Sequence, residues 1–217
     1  DSASDQAAIA VLKGDTVLAE KRWTVTTNYS QELLAGIDAT LREAETTHEK
    51  LTAIAVDIGP GGYSGLRSGV ATAQGISVAL GIPLAGVSCL ETAAFPHIND
   101  GKPIVAVHEA GGGRLAWAAY GGNQLEPITL QAPRLDEMQE CLQMAPSEAR
   151  WCGELSAELL AMIDGAQVPV ETNVRHAADL VRLAHLHQAY GDPALVDAIY
   201  LRPPSITQPK SQTSTHA

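Results

Sequence analysis

The chain has 217 residues, of which 45% are apolar, and its 14 basic and 25 acidic residues give a formal net charge of −11. This composition indicates a folded globular protein with a core. The acidic excess argues against a protein that grips nucleic-acid phosphates alone. The three cysteines form no CxxC pair, and no apolar run reaches the roughly 18 residues of a membrane span, so we expect a cytoplasmic protein.

The first half of the chain predicts elements in the order ββαβαβα. Lys13-Gly14-Asp15 is a hairpin signal between two predicted strands. Leu34, Ile37 and Leu41 recur at helical spacing, with Ser30 as the predicted N-cap. The predicted elements are a hairpin over 7–25, a helix over 30–46, a strand over 51–59, a helix over 66–80, a strand over 82–88 and a short helix over 89–94.

The second half predicts a smaller α/β unit after a break near residues 96–102. Its glycines Gly111-Gly112-Gly113 join two predicted strands, and Gly165 and Gly191 each end a predicted helix. The predicted elements are strands over 102–110, 113–121, 124–130, 149–155 and 168–172 and helices over 133–145, 156–165 and 174–191. We therefore expect one domain over 1–98, a second over 99–205, and a disordered tail over 206–217.

A run of glycines lies between a predicted strand and a predicted helix, at Gly59-Pro60-Gly61-Gly62-Tyr63-Ser64-Gly65. Free N–H groups at a helix start attract anions, so Gly61, Gly62 and Ser64 are candidate nucleotide or anion contacts. The spacing, however, matches neither the Walker pattern nor the dinucleotide pattern. A tight turn, in which Ser64 caps the helix, is the second interpretation.

The helix that follows the glycines is built largely of small residues. Glycines inside a helix cost about 1 kcal/mol each relative to alanine, a cost that makes sense where another backbone comes close. This pattern indicates a helix packed on more than one side. The second side faces either the predicted helix 30–46 of the same chain or a partner.

The segments DSASDQAAIAVLKGDTVLAE, GPGGYSGLRSGVATAQGISVALGIPLAGVSCLETAA and YLRPPSITQPK resemble the opening, centre and end of the bacterial TsaB family, also called YeaZ. The resemblance is dense over residues 1–95 and sparse but ordered to 210. It implies an actin-like ATPase (ASKHA) fold with two α/β subdomains.

The resemblance also implies a function. TsaB-like proteins are non-catalytic partners of a TsaD catalytic subunit and a TsaE ATPase, which together make threonylcarbamoyladenosine next to the anticodon of tRNA. The resemblance places the TsaD contact, and a homodimer contact when TsaD is absent, on the first two helices. We expect no bound cofactor in this chain, with ATP used by the complex. The net charge argues against direct tRNA binding, and the lack of a long apolar run argues against a membrane contact. The interface residues expected here are Leu34, Ile37, Leu41, Gly69, Val70, Ala73 and Ile76.

Three departures separate this sequence from the family pattern. Tyr29-Ser30-Gln31 stands where the family has His-Ser-Glu, and the segment from His108 to Arg114 lacks the family's charged motif. The family also has an apolar strand before the residue equivalent to Asp1, which this sequence does not contain. We expect the lack of that strand to leave a gap in the first sheet.

The sequence leaves two enzymatic alternatives. A metal-dependent protease is disfavoured, because none of the seven histidines lie four residues apart, as a His-x-x-x-His pair requires. The other alternative is a self-sufficient actin-like kinase or ATPase, with Asp1, Ser2 and Ser4 in a first turn and the glycines in a second. This alternative lacks a second loop that combines glycines with an acidic pair, because the EAGGGRLA segment has the glycines but only Glu109 as an acid.

Overall fold

The computed structural model describes residues 1–26, 28–98, 101–169 and 173–201. The elements in chain order are β1 (Gln6–Lys13), β2 (Thr16–Thr24), α1 (Tyr29–Glu43), β3 (Ile54–Asp57), α2 (Tyr63–Leu80), β4 (Leu84–Val87), α3 (Cys89–Ala94), β5 (Ile104–Glu109), β6 (Arg114–Asn123), β7 (Glu126–Glu137), α4 (Met138–Met144), β8 (Arg150–Gly153), α5 (Ala157–Met162) and α6 (Ala177–Leu186). No helix within these ranges combines the length and apolarity needed to cross a bilayer.

The strands of the described residues form three separate sheets. The β1–β2 hairpin is antiparallel, as predicted, and turns at Gly14, which has a φ of +57°. Strands β3 and β4 pair in parallel and form a second, two-stranded sheet. The other four strands form a sheet in the order β7-β6-β5-β8, in which β5 and β8 are parallel. No sheet joins the two halves of the chain within the described residues, while the predicted domain boundaries stay a prediction.

One apolar cluster draws side chains from both halves. It contains Ala3 and Leu66 from the first half and Ile104, Tyr120 and Cys152 from the second. Helix α3 lies at its centre, because five of its six residues are buried. A second cluster lies within the second half, around the fully buried Trp117 on β6. The shared cluster fixes the two halves against each other.

The structure corrects both predicted helix caps in the first half. The side chain of Asn28, and not that of Ser30, caps α1, accepting hydrogen bonds from the amides of Ser30 at 3.0 Å and Gln31 at 3.3 Å. Helix α2 begins at Tyr63 after Gly62, and no side chain caps it, so Ser64 lies inside the first turn. In both helices the N-cap position lies two residues before the predicted one, at Asn28 and at Gly62.

The predicted helix over 133–145 is wrong in its first half. Residues up to Glu137 continue β7, and α4 covers only Met138–Met144. Pro133 falls at an irregularity of the β6–β7 ladder, between the pairs Trp117–Arg134 and Ala119–Gln131. A proline is tolerated at such a position because its missing N–H is not needed.

Two predictions near the end of the described chain also need correction. Helix α6 ends at Leu186 and not at Gly191, because Gly191 exchanges two backbone hydrogen bonds of 3.0 Å with Leu84 on β4. No strand covers residues 168 and 169 of the predicted strand over 168–172. The residue just before it, Gln167, forms an isolated bridge with Trp151. Residues 170–172 of that prediction lie outside the described residues.

Candidate functional site

The first four residues, here called the opening turn (1–4), lie against the glycine loop (59–65) and the start of α2. The amide of Gly62 donates to the carbonyl of Ala3 at 2.6 Å. A Cβ atom added at Gly61 would lie 2.3 Å from the Ala3 carbonyl oxygen, and one added at Gly65 would lie 2.2 Å from that of Ser2. The glycines are therefore required by the close approach of two backbones.

The anion contact predicted for Gly61, Gly62 and Ser64 stays a prediction. The Gly62 amide that it would use already has an acceptor in Ala3. Gly61 is half-buried beneath the opening turn, while Ser64 is exposed on the first turn of α2. The structure does not gather these three residues around an open anion pocket.

The polar groups of the opening turn bind partners in the same chain. Arg175 Nε donates to the Asp1 carboxylate at 2.8 Å, and Arg175 Nη2 donates to Ser4 Oγ at 2.8 Å. Ser2 is buried and its hydroxyl donates to the Gly65 carbonyl at 2.9 Å. Tyr29, one of the family departures, donates its hydroxyl to the Ser4 carbonyl at 2.9 Å.

Asp57 ends β3 beneath the opening turn and is fully buried. One carboxylate oxygen accepts from the Gly59 amide at 2.6 Å, and the other has no hydrogen-bond partner among the described residues. Burial raises the pKa of this carboxyl above its ordinary value, against the lowering effect of Arg175. Sequence reasoning did not single out either residue. A single acidic residue at the end of an apolar strand could have identified Asp57 as a candidate, whereas no neighbouring residues distinguish Arg175.

Cys89 lies beside this carboxylate and is also buried. Its thiol donates to the Pro60 carbonyl at 2.7 Å. Burial, reinforced by the charge of Asp57, holds the pKa of the thiol well above its usual range. A thiol that cannot ionise is a poor nucleophile, so the arrangement is that of a core cysteine.

The glycines of the second half form an exposed turn next to an ion pair. Gly111, Gly112 and Gly113 all have positive φ, between +67° and +76°. Glu109 is exposed. The acid of the ion pair is Glu154, which lies 2.9 Å from His108 Nδ1. Burial acts to raise the pKa of Glu154, but the hydrogen bond and charge of His108, together with the Glu109 amide and the charge of Arg175, leave that pKa lowered.

Several histidines in the described ranges each pair with a single carboxylate. His176 contacts Glu20 at 2.9 Å and His187 contacts Glu91 at 2.7 Å. No three His, Cys, Asp or Glu residues of the described chain lie close enough together to hold a metal ion. The predicted lack of a metal site stays a prediction.

Most of the predicted interface residues face into the chain. Leu34 is exposed, at 55% of its surface, and Ile37 and Ile76 are half-buried. The remaining four residues are buried, namely Leu41, Gly69, Val70 and Ala73. A Cβ atom added at Gly69 would lie 2.1 Å from Ser2 Oγ, so this glycine serves a contact within the chain. The interface assignment stays a prediction.

A different set of small residues lies on the solvent side of α2. Exposed positions recur every three or four residues and so form one stripe, called here the outer stripe: Ser64, Arg67, Ala71, Gly75 and Val78. Val78 is 70% exposed, and a Cβ atom added at Gly75 would meet no atom within 4 Å. Apart from the charged Arg67, the outer stripe and Leu34 on α1 present small and apolar groups to solvent.

Comparison with known proteins identifies relatives of this chain. A family model described as "TsaD: tRNA N6-adenosine threonylcarbamoyltransferase" matches residues 21–175. The tRNA threonylcarbamoyladenosine biosynthesis protein TsaB of Bacillus subtilis is 35% identical over 94 residues, covering 43% of this chain and 41% of that protein. The TsaB protein of Escherichia coli is 29% identical over 122 residues, covering 55% and 52%. The chain thus spans about half the length of these curated relatives.

The structure of YeaZ from Pseudomonas aeruginosa superposes with a TM-score of 0.76 at 21% identity, covering 92% of this chain and 96% of that one. This similarity and the matched model define the chain as an actin-like α/β protein of the family that the TsaD model describes, which confirms the predicted fold class. Within that family its named relatives are TsaB proteins and its structural neighbour is a YeaZ protein, in agreement with the predicted resemblance to the TsaB family.

Proposed function

We propose that this chain is a non-catalytic partner subunit in the biosynthesis of threonylcarbamoyladenosine in tRNA. The named TsaB relatives support the process, and the opening turn supports the non-catalytic role. The groups that an actin-like enzyme would aim at a nucleotide bind one another instead, as Asp1 binds Arg175 and Gly62 binds Ala3. This internal pairing is the observation that carries the proposal.

The partners proposed are a TsaD-like catalytic subunit and a TsaE-like ATPase. The outer stripe of α2 and Leu34 of α1 form the proposed contact with the TsaD-like subunit, and with a second copy when that subunit is absent. Small side chains at Ala71 and Gly75 permit close approach of a partner helix, and Val78 supplies apolar surface that favours burial. The net charge of −11 favours tRNA binding by the partner and not by this chain.

The test is reconstitution with the TsaD-like and TsaE-like proteins of the same organism, tRNA and ATP. Modified adenosine is measured by mass spectrometry of digested tRNA, with and without this chain. We expect modification to require the chain, and the chain alone with ATP and magnesium to release no phosphate. Steady ATP turnover by the isolated chain would instead support the self-sufficient kinase or ATPase.

Two variants test the contact surface. Ala71→Trp places a bulky group on the outer stripe, and overpacking of about 1–3 kcal/mol corresponds to about a fivefold to hundredfold loss of affinity. Leu125→Trp is the matched control, because Leu125 is 86% exposed on the β6–β7 turn. If a folded Ala71→Trp chain binds the TsaD-like subunit with unchanged affinity, the outer stripe is not the contact surface. The proposed role in threonylcarbamoyladenosine biosynthesis is then still tested by the reconstitution.

A further inference from the structure

Two tyrosines and an arginine form a cluster on the surface where α2 begins. Tyr63 and Arg67 are four residues apart and therefore share one face of the helix. The Arg67 Cζ atom lies 4.7 Å from the centroid of the Tyr63 ring, which is a cation–π contact. The ring of Tyr200 lies against the same tyrosine, with centroids 5.3 Å apart and planes inclined by 43°. We call Tyr63, Arg67 and Tyr200 the aromatic–arginine cluster.

The segment that carries Tyr200 is held in place by hydrogen bonds to the first half of the chain. The amide of Ile199 donates to the carbonyl of Ile58 at 2.7 Å. Earlier in the segment, the carbonyl of Val196 accepts from Gln74 Nε2 on α2 at 2.9 Å. Tyr200 is therefore brought to α2 by the packed backbone, and its exposure is a property of the fold.

The aromatic–arginine cluster is exposed, and its cation has no acid of its own. Both tyrosines expose 40% of their surface, and Arg67 is exposed. No carboxylate of the described residues pairs with Arg67. Four other arginines each pair with an aspartate, namely Arg42, Arg134, Arg175 and Arg182. Because the Tyr63 ring covers one face of the Arg67 guanidinium, the N–H groups at its edge are available to an acceptor from outside.

We propose, on the basis of the proposed function, that the aromatic–arginine cluster binds a carboxylate side chain of the TsaD-like subunit. A guanidinium presents a fork of N–H groups that matches both oxygens of a carboxylate. Tyrosine and arginine are also the residues that most often dominate the energy of a protein interface. Arg67 belongs to the outer stripe, so the cluster extends the proposed contact from α2 to Tyr200.

A phosphate of tRNA would satisfy the same N–H groups as a carboxylate. The net charge of −11, however, opposes the approach of a polyanion far more than that of one acidic side chain. The charge of this chain therefore favours a protein carboxylate as the ligand of the cluster.

The experiment measures the affinity of the chain for the TsaD-like subunit without tRNA, and again with tRNA present. The variants are Arg67→Gln and Tyr200→Ala, and the matched control is Arg22→Gln, at an exposed arginine on β2. Arg67→Lys adds a direct test, because a carbodiimide couples an amine to a carboxylate that touches it. The coupled peptides are identified by mass spectrometry, with Arg22→Lys as the control.

We expect Arg67→Gln to weaken binding at least tenfold and Tyr200→Ala at least threefold, while Arg22→Gln stays within twofold of the original chain. We also expect Arg67→Lys, but not Arg22→Lys, to couple through position 67 to an aspartate or glutamate of the TsaD-like subunit. The proposal requires all three results from the cluster, and the absence of any one of them overturns it.

Two other outcomes separate this proposal from its alternatives. An effect of Arg67→Gln that appears only with tRNA present would assign the cluster to a phosphate and overturn the carboxylate. If Ala71→Trp weakens binding while Arg67→Gln does not, the cluster proposal fails and the proposed function stands. If the unaltered chain does not bind the TsaD-like subunit, the proposed function fails and this proposal fails with it.

Discussion

The close packing of the opening turn on α2 predicts opposite effects for two identical substitutions in one helix. Gly65 faces the Ser2 backbone, whereas Gly75 faces solvent. We expect Gly75→Ala to stabilise the chain and Gly65→Ala to destabilise it. The pair is matched because both changes add one methyl group to α2.

The expected magnitudes come from the distances. At Gly75 the added Cβ atom meets nothing within 4 Å, so the change gains up to about 1 kcal/mol of helix propensity. At Gly65 the added Cβ atom would lie 2.2 Å from the Ser2 carbonyl oxygen, and overpacking of this kind costs about 1–3 kcal/mol. We therefore expect the two variants to differ by about 2–4 kcal/mol in free energy of unfolding.

Urea denaturation followed by circular dichroism measures this difference. With m of about 2–3 kcal/mol/M, the midpoints of the two variants should lie about 1 M apart. An unchanged m would show that both variants unfold from a similarly compact state. Equal midpoints for Gly65→Ala and Gly75→Ala would refute the claim that the opening turn is packed against this helix.

Three further predictions follow from the same region. Arg175→Ala should lower the free energy of unfolding by about 3–5 kcal/mol, because it leaves the buried Asp1 carboxylate unpaired. The control, Arg42→Ala at the exposed pair with Asp38, should change it by no more than about 0.5 kcal/mol in the same urea assay. Asp57→Asn should stabilise the chain at pH 7, because the raised pKa of Asp57 means that its charged form opposes folding. The advantage should shrink as pH falls through that raised pKa towards the ordinary value of 3.8, and a constant advantage from pH 7 to pH 4 would contradict the assignment. The three cysteines should resist a thiol reagent in the native chain and react once urea unfolds it, and fast labelling of the native chain would show that one of them is accessible.

Most of the element order could be read from the sequence because turns and periodicity are local signals. The hairpin at Gly14 and the core of α2 needed only neighbouring residues. The end of β7 could not be predicted from the sequence, because Pro133 and Asp136 locally favour the start of a helix. The ladder to β6 and the hydrogen bond from Trp117 Nε1 to Asp136 at 2.8 Å decide the outcome there.

The candidate site was harder to predict for the same reason. The sequence identified the glycines but not what they contact, because the opening turn lies about 60 residues away. Arg175 is 174 residues from Asp1, and no local pattern connects them. The small-residue pattern of α2 predicted a helix packed on more than one side, against this chain or a partner. It could not tell that Gly69 and Ala73 face inward whereas Ala71 and Gly75 face solvent.

The apolar cluster shared by the two halves has a mechanical consequence. Separating the halves about a hinge would expose apolar side chains of the shared cluster to water, among them Leu66, Ile104 and Tyr120. Domain closure around a ligand requires an interface that opens at little cost, and this one does not. The chain should therefore behave as a rigid block that melts in a single calorimetric transition, presenting a fixed surface to whatever binds it.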